Sequence, residues 1–117
     1  MIKGDEQEGL VENLVQELRR GVIVIAVLSQ LQEEQYGYSA IKVLAERGLD
    51  VEQGTLYPLL RRLESQGLLE SRWRIEEARP RRYYVISPQG TRVLNRLREE
   101  WAKLSAAVVP MVNEQKE

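Results

Sequence analysis

Residues 55–67 constrain the fold more than any other part of the chain. They read Thr-Leu-Tyr-Pro-Leu-Leu-Arg-Arg-Leu-Glu-Ser-Gln-Gly. Four leucines, from Leu56 to Leu63, recur at i, i+3, i+4 and i+7, which predicts a helix with one apolar face. The helix is expected to begin near Glu52 and to reach Gln66, with Gly67 as a left-handed stop. Its other face is basic and aromatic, so only the leucines should be buried.

The segments around this helix predict a winged helix-turn-helix, a mainly α fold with a small β-hairpin. A short helix is expected from Ser39, as N-cap, to about Arg47, preceded by a turn at 36–39 and closed by Gly48. After the leucine helix, residues 68–75 and 83–87 are typical of two strands. Glu76–Pro80 forms the polar tip between these strands. Ser87 and Pro88 then provide an N-cap and a first helical residue for a final helix.

The first and last helices have more apolar surface than one small domain can cover. The first is predicted over residues 8–32, with a bend at Gly21, and its second half is apolar nearly all round. The last carries apolar residues spaced 3, 4, 3, 4 between Leu94 and Val108, a two-heptad seam, and Pro110 should end or kink it. We therefore expect a homodimer. The predicted interface residues are Leu14, Leu18, Val22, Ile25, Leu97, Trp101, Leu104 and Val108.

Length and composition favour a single domain over residues 1–117. We assign a winged helix-turn-helix core to 18–87, an N-terminal helical extension to 1–17 and a C-terminal dimerisation helix to 88–110. The chain has no cysteine and no histidine, which excludes disulfides and leaves little basis for a metal site or for catalysis. No cofactor is expected. Without an apolar run long enough for a membrane span, we expect a cytosolic location.

Charge is unevenly distributed, although the formal net charge is only −1. Residues 1–35 carry three basic and seven acidic side chains, whereas residues 50–98 carry ten arginines against six acidic side chains and no lysine. The planar guanidinium fork of arginine matches phosphate oxygens and guanine edges. The alternative, a solvated surface that merely uses arginine, stays open on composition alone. Position along the chain has to decide between the two.

The leucine helix carries the groups that a DNA-recognition helix uses. Its outer and flanking residues are Gln53, Thr55, Tyr57, Arg61 and Arg62, where Gln and Arg can bond base edges and hydroxyl groups can bond phosphates. Packing remains an alternative for Tyr57, and a solvated face remains one for the two arginines. Together with a preceding short helix and a glycine turn, the set favours binding to double-stranded DNA.

The hairpin resembles a basic wing that would reach the adjacent minor groove or its phosphates. Strand alternation places Arg72 and Arg74 on one face and Trp73 and Ile75 on the other. Glu76 and Glu77 reduce its positive charge. Its arginines are Arg72, Arg74, Arg79, Arg81 and Arg82, of which Arg79 and Arg81, at the tip, are the stronger DNA-binding candidates.

Trp101 has two interpretations. On a heptad seam, a large aromatic residue most often packs at a dimer interface. Across a two-fold interface it could also stack on a planar hydrophobic small molecule, the only effector contact that the sequence indicates.

Several blocks of the sequence together resemble the PadR-like family of bacterial transcriptional regulators. The resemblance covers about residues 18–100. Its most specific part combines four short blocks. They are Thr-Leu-Tyr-Pro at 55–58, Arg-Leu-Glu at 62–64, Gly-Leu at 67–68 and Arg-Tyr-Tyr at 82–84. The matching segments are 36–38, 54–64, 67–69, 80–84 and 87–90. The short final helix resembles the compact subfamily, whose members carry a tryptophan near the position of Trp101.

This resemblance implies a dimeric repressor that binds a pseudo-palindromic operator and is released by a small molecule or another signal. It implies that Tyr38, together with Gln53, Thr55, Tyr57, Arg61 and the wing arginines, lies at or near DNA. Glu52 departs from the family, which commonly has Ser or Asn as the helix cap there. The alternative is a winged-helix protein-interaction module that does not bind DNA. An enzyme has little support, because no nucleophile–base pair or metal cluster is visible.

Overall fold

The computed structural model describes residues 4–116. Those residues form four helices and one three-stranded antiparallel sheet with the strand order β1-β3-β2. The winged helix-turn-helix predicted from the sequence is confirmed. In chain order the elements are α1 (Gly4–Gln30), β1 (Gln35–Tyr36), α2 (Gly37–Glu46), α3 (Gln53–Ser65), β2 (Leu69–Glu76), β3 (Arg79–Ile86) and α4 (Pro88–Asn113).

Some boundaries differ from those expected. Ser39 is not the N-cap of α2, because the helix already begins at Gly37 and Tyr36 occupies the cap position. The turn expected at residues 36–39 includes the end of β1, a two-residue strand that pairs with β3. β3 begins at Arg79 rather than at residue 83, so the hairpin is longer and tighter than expected. Pro110 lies inside α4, which continues to Asn113.

The leucine stripe of α3 forms the centre of the core. Leu56, Leu60 and Leu63 are at most 1% exposed. They pack with the C-terminal half of α1, with α2, with the base of the sheet and with the start of α4. Burying one leucine side chain contributes roughly 1.5–3 kcal/mol, so this stripe is a substantial source of stability in the fold. It also fixes which face of α3 remains exposed.

A buried serine joins α3, the hairpin and α4. Gly67, at φ +80°, turns the chain out of α3. The Ser87 hydroxyl donates to the Gly67 carbonyl at 2.6 Å and accepts from the Gly90 N–H at 2.9 Å. A Cβ on Gly90 would lie 2.1 Å from the carbonyl oxygen of Leu68, so only glycine fits there. These contacts set the direction in which α4 leaves the domain.

The outer halves of α1 and α4 project from this core. Every residue from 4 to 18 is exposed, including the apolar residues of that stretch. The radius of gyration is 17.4 Å, against about 13 Å for a compact chain of this length. Among the described residues, no helix is long and apolar enough to cross a membrane.

Candidate nucleic-acid interface

The exposed side of α3 lies directly opposite its leucines. Four exposed residues follow one another along this side at helical spacing: Gly54, Pro58, Arg61 and Ser65. Within residues 4–116, Arg61 forms no ion pair. Its guanidinium therefore needs no internal partner to be displaced before it can contact a ligand.

The N-terminus of α3 is open to an anion. Glu52 is in the N-cap position with extended backbone, and among the described residues no side chain caps the helix. No heavy atom outside the helix lies within 4 Å of a Cβ built on Gly54. The exposed first-turn N–H groups and the helix dipole can thus approach a phosphate. The Glu52 carboxylate at the N-cap carries a negative charge that opposes this approach.

The consecutive residues Arg61 and Arg62 lie on different sides of α3. Arg62 and Thr55 lie on the flank of α3 that faces α1. There they line an open groove of about 260 Å³ together with Arg20, Ile23, Val24, Pro58 and Leu59. Arg61 lies on the outer side, away from this groove. The two adjacent arginines are therefore expected to contact a duplex in different ways.

Tyr57 is half-buried and occupies the other flank of α3. Its ring lies on Gly37, where a Cβ would come within 2.3 Å of the ring. Tyr57 thus packs α3 against the start of α2, as the packing alternative for this residue required. The neighbouring Tyr84 is buried, and this burial raises the pKa of its hydroxyl.

Two stacked tyrosine rings with a cation at each end connect α2 to the hairpin. The Lys42 ammonium lies 5.9 Å from the Tyr38 ring centroid, and the Tyr38 and Tyr36 rings stack at 6.3 Å. The Arg81 guanidinium lies 4.8 Å from the Tyr36 centroid. Tyr38 is exposed on the first turn of α2, where the first helix of such a motif crosses the DNA backbone.

Most wing arginines have carboxylate partners. Arg72 and Arg74 both contact Glu34, which lies in the connection between α1 and β1. Arg81 lies 3.5 Å from Glu76 and Arg82 lies 2.7 Å from Glu64. The Glu76 carboxylate also accepts from the Tyr83 hydroxyl at 2.7 Å, which raises the pKa of that tyrosine. Of the five wing arginines, all within the described part of the chain, only Arg79 has no ion pair.

The hairpin tip is tight, and its two faces differ in chemistry. Glu77 and Ala78 adopt φ of +50° and +62°, the left-handed conformation of a type I′ turn. The strand register places Arg72 and Arg74 on one face and Trp73 and Ile75 on the other, as predicted. Trp73 is 64% and Ile75 81% exposed. The second face also packs onto α3 at the base of the hairpin, so these apolar side chains lie on the α3 side of the sheet.

Comparison with known proteins identifies this architecture. The model of the PadR-like transcriptional regulator family matches residues 24–96, from α1 through the wing to α4. The chain belongs to the PadR-like family. A relative, the transcriptional regulator Rv3488 of Mycobacterium tuberculosis, is 33% identical over 96 residues, which are 81% of this chain and 90% of the relative.

Solved PadR-family structures match this PadR-like chain over most of its length. A PadR family transcriptional regulator from Eggerthella lenta is 45% identical with a TM-score of 0.82, covering 93% of this chain and 97% of that one. A PadR-like transcription factor from Bacteroides fragilis is 33% identical with a TM-score of 0.72, covering 85% and 98%. The family, its fold and its general role in transcription regulation are therefore shown.

The candidate interface residues of this PadR-like chain fall into two groups. Ile25 and Leu97 are partly buried against the core of their own protomer, and Val22 is half-buried. The others are exposed along the projecting halves of α1 and α4. They are Leu14, Leu18, Trp101, Leu104 and Val108. The exposed group is the one that a second copy would have to cover.

Sequence reasoning missed the carboxylates that hold the wing. Glu34 is 38 positions from Arg72 along the chain, and no spacing rule connects the two residues. Glu64 belongs to the leucine helix by pattern, but its partners Ser71 and Arg82 lie on the two hairpin strands. No cluster of His, Cys, Asp or Glu suited to a metal ion occurs within residues 4–116.

Proposed function

We propose that this PadR-like protein is a sequence-specific DNA-binding repressor that acts as a homodimer. Each protomer would insert α3 into the major groove of one half of a pseudo-palindromic operator. The observation that carries the proposal is the exposed part of α3, where an uncapped N-terminus and the flanking Gln53 accompany Arg61, which forms no ion pair with any residue from 4 to 116. Such a face can bond base edges and phosphates at the same time.

The projecting apolar surfaces support the dimer. Five apolar side chains on the projecting halves of α1 and α4 are exposed in a single protomer. They are Leu14 and Leu18 on α1, and Trp101, Leu104 and Val108 on α4. An isolated helical segment as short as residues 4–18 is marginal in water, so packing against a partner would stabilise it. Two-fold pairing through these halves would also present two copies of α3 to one duplex.

Release by a signal is the second part of the proposal. Trp101 lies half exposed on α4, within the surface assigned to the dimer. A planar hydrophobic molecule that stacks between the tryptophans of the two copies would change the distance between their α3 helices. Soaking or titrating planar aromatic probes while following Trp101 fluorescence, in a Trp73→Phe background that leaves one tryptophan, tests this part separately.

The first prediction concerns Arg61. In vitro selection from a random duplex library should yield an inverted repeat, and Arg61→Ala should bind the selected site more weakly by roughly 1–3 kcal/mol, because a base contact is lost. The variant should also tolerate more bases at one position of each half-site. Binding of the variant to the selected and to substituted duplexes, measured by fluorescence anisotropy, checks both effects.

Arg62→Ala is the matched control for this prediction. It removes the same charge from the adjacent position, but Arg62 faces the α1 groove. We expect a weaker, sequence-independent effect in which the slope of log K against log salt falls by about 0.9 if a phosphate contact is lost. An Arg61→Ala protein that kept full affinity and full base preference would refute the assignment of α3 as the recognition helix.

A protein-interaction module is the alternative, and one observation favours it. Four of the five wing arginines are paired with glutamates, and Trp73 and Ile75 are exposed beside them. Such a wing carries less free charge than a DNA-binding surface usually does. The two functions separate in one titration, because a DNA-binding protein shows salt-dependent affinity for random duplex DNA and an interaction module shows none.

A further inference from the structure

Glu34 reaches across the sheet to hold two arginines of the far strand. It lies one residue before β1, and the pairing of Tyr36 with Tyr83 fixes β1 along the edge of β3. From there its carboxylate accepts two hydrogen bonds from Arg72, from Nε at 2.8 Å and from Nη2 at 3.1 Å. Arg74 contacts the same carboxylate through its own Nη2. One carboxylate thus binds two guanidinium groups. It binds that of Arg72 in a bidentate manner, through two hydrogen bonds.

This carboxylate is better shielded than the arginines that it binds. The Glu34 side chain is 21% exposed, against 63% for Arg72 and 41% for Arg74. The Arg74 guanidinium also lies 4.7 Å from the Tyr83 ring centroid, in the space between the two edge strands. The hydrogen bond from Arg72 holds the pKa of the Glu34 carboxyl below its ordinary value, so the group is ionised throughout the neutral range.

A tethered carboxylate differs from a dissolved counterion in one important way. Ions condensed on DNA or bound to a free arginine exchange with the bulk salt, and their release drives phosphate binding. Glu34 is instead attached to the chain, and the β1–β3 pairing places its backbone beside the sheet, so it cannot exchange with the bulk as a dissolved ion does. A phosphate that contacts Arg72 or Arg74 must therefore displace this carboxylate. Arg61 on α3 carries no such cost.

We propose that Glu34 acts as an internal competitor of the DNA phosphate backbone, withholding Arg72 and Arg74 from sequence-independent contacts. The proposal rests on the DNA-binding function proposed above. It makes Glu34 a residue that determines specificity without contacting a base. Binding then depends more on the base contacts of α3 than on the total positive charge of the wing.

The test compares Glu34→Gln with Glu33→Gln. Both variants remove one negative charge at neighbouring positions, but Glu33 is exposed and, among residues 4–116, has no ion-pair partner. Affinity for a random duplex is measured by fluorescence anisotropy over a series of salt concentrations. We expect Glu34→Gln to bind about five-fold or more tightly than Glu33→Gln near 0.1 M salt, with a log–log slope steeper by about 0.9 to 1.8, as one or two arginines become available.

A double-mutant cycle ties the effect to the two arginines. In an Arg72→Ala/Arg74→Ala background, Glu34→Gln should change the affinity and the slope no more than Glu33→Gln does, because the arginines that it would free are gone. If Glu34→Gln does not fold, Glu34→Asp provides the second variant. Its shorter side chain keeps the charge but cannot reach both guanidinium groups, and we expect an intermediate gain over wild type.

The outcomes distinguish the two proposals. If wild type binds random duplex and Glu34→Gln matches Glu33→Gln, the role of Glu34 is refuted while DNA binding stands. A gain over Glu33→Gln that persists in the Arg72→Ala/Arg74→Ala background also refutes it, since the effect would then not pass through these arginines. If neither wild type nor any variant binds any duplex in dilute buffer, the proposed DNA-binding function is refuted. The role of Glu34, which rests on it, is then refuted as well.

Discussion

The inner and outer parts of this molecule differ in how much of their apolar surface is buried within one protomer. In the inner part, α2, α3 and the base of the sheet bury their leucines almost completely within one protomer. In the outer part, α1 before residue 19 and α4 after residue 100 keep their apolar side chains exposed; Leu18, for example, is 75% exposed. The inner part is complete as a single chain. The outer part is the surface that the proposed dimer would cover.

The largest effect on assembly should come from a charge in the outer part. Leu104→Glu would place a carboxylate on the exposed seam of α4. We expect the dimer to dissociate and affinity for the selected operator to fall roughly 100-fold, about 2.7 kcal/mol, because one recognition helix is lost. Sedimentation and DNA titration measure the two consequences.

Ala102→Glu is the control for that variant. It adds the same charge on the same helix, but on the side opposite the seam, and should stay dimeric. If Leu104→Glu sedimented as the same species as wild type and bound with equal affinity, the outer part would not be the interface.

The stability of the inner part should depend on core packing, so a substitution that leaves a cavity should lower its free energy of unfolding. Leu60→Ala removes a side chain that is 0% exposed and should lower the free energy of unfolding by about 2–5 kcal/mol. Leu18→Ala should instead weaken the dependence of the melting temperature on protein concentration, since dimer formation contributes that dependence. Thermal melts of both variants at several concentrations separate the two effects. Equal behaviour of the two variants would contradict the comparison.

The joint between the two parts depends on Ser87. Ser87→Ala removes the cap of α4 and leaves the Gly67 carbonyl without its side-chain donor. We expect a loss of about 1–2 kcal/mol in unfolding free energy, the usual cost of a lost N-cap. Chemical denaturation measures it. Ser65→Ala, at an exposed position of α3, is the control and should be close to neutral.

The wing tip should be improved by glycine. Ala78 has φ of +62°, so Ala78→Gly relieves a strained conformation and should stabilise the protein by roughly 0.5–1 kcal/mol. The same substitution inside α4, Ala106→Gly, should destabilise by about 1 kcal/mol. Opposite signs in parallel denaturation experiments are the expected result. Destabilisation by Ala78→Gly would show that the tip is not a type I′ turn.

The smallest effect concerns pH. Because Arg72 lowers the pKa of Glu34, its carboxylate stabilises the folded protein at neutral pH, and this contribution is lost only as pH falls through the lowered pKa. A carboxyl-selective NMR titration should place the Glu34 midpoint below the ordinary 4.5. In the Arg72→Ala/Arg74→Ala variant the midpoint should rise towards that ordinary value. An unchanged midpoint would show that the two arginines do not hold this carboxylate in solution.

The elements that the sequence predicted well are those with strong local signals. The leucine spacing from Leu56 to Leu63 and the stop at Gly67 determine α3 with no help from the rest of the chain. Ser87 and Pro88 likewise determine the start of α4. β1 could not be found this way, because a strand of two residues has no periodicity and exists only by pairing with β3.

The candidate site was harder to predict, because its properties depend on distant contacts. The spacing of Arg72 and Arg74 gave the face of the wing that they occupy, but not the Glu34 that pairs with them. The heptad seam grouped Leu97 with Trp101 as interface residues on one side of α4. It could not indicate that Leu97 packs on its own protomer, because that depends on where α1 crosses α4.

The central claim is that two protomers present two α3 helices to one duplex. Selection from a random library followed by native mass spectrometry of the complex tests it most directly. We expect an enriched inverted repeat whose half-site centres lie about 34–36 Å apart, or a multiple of that distance, bound by two protomers per duplex. A protein that stays monomeric at micromolar concentration and enriches no repeat would contradict it.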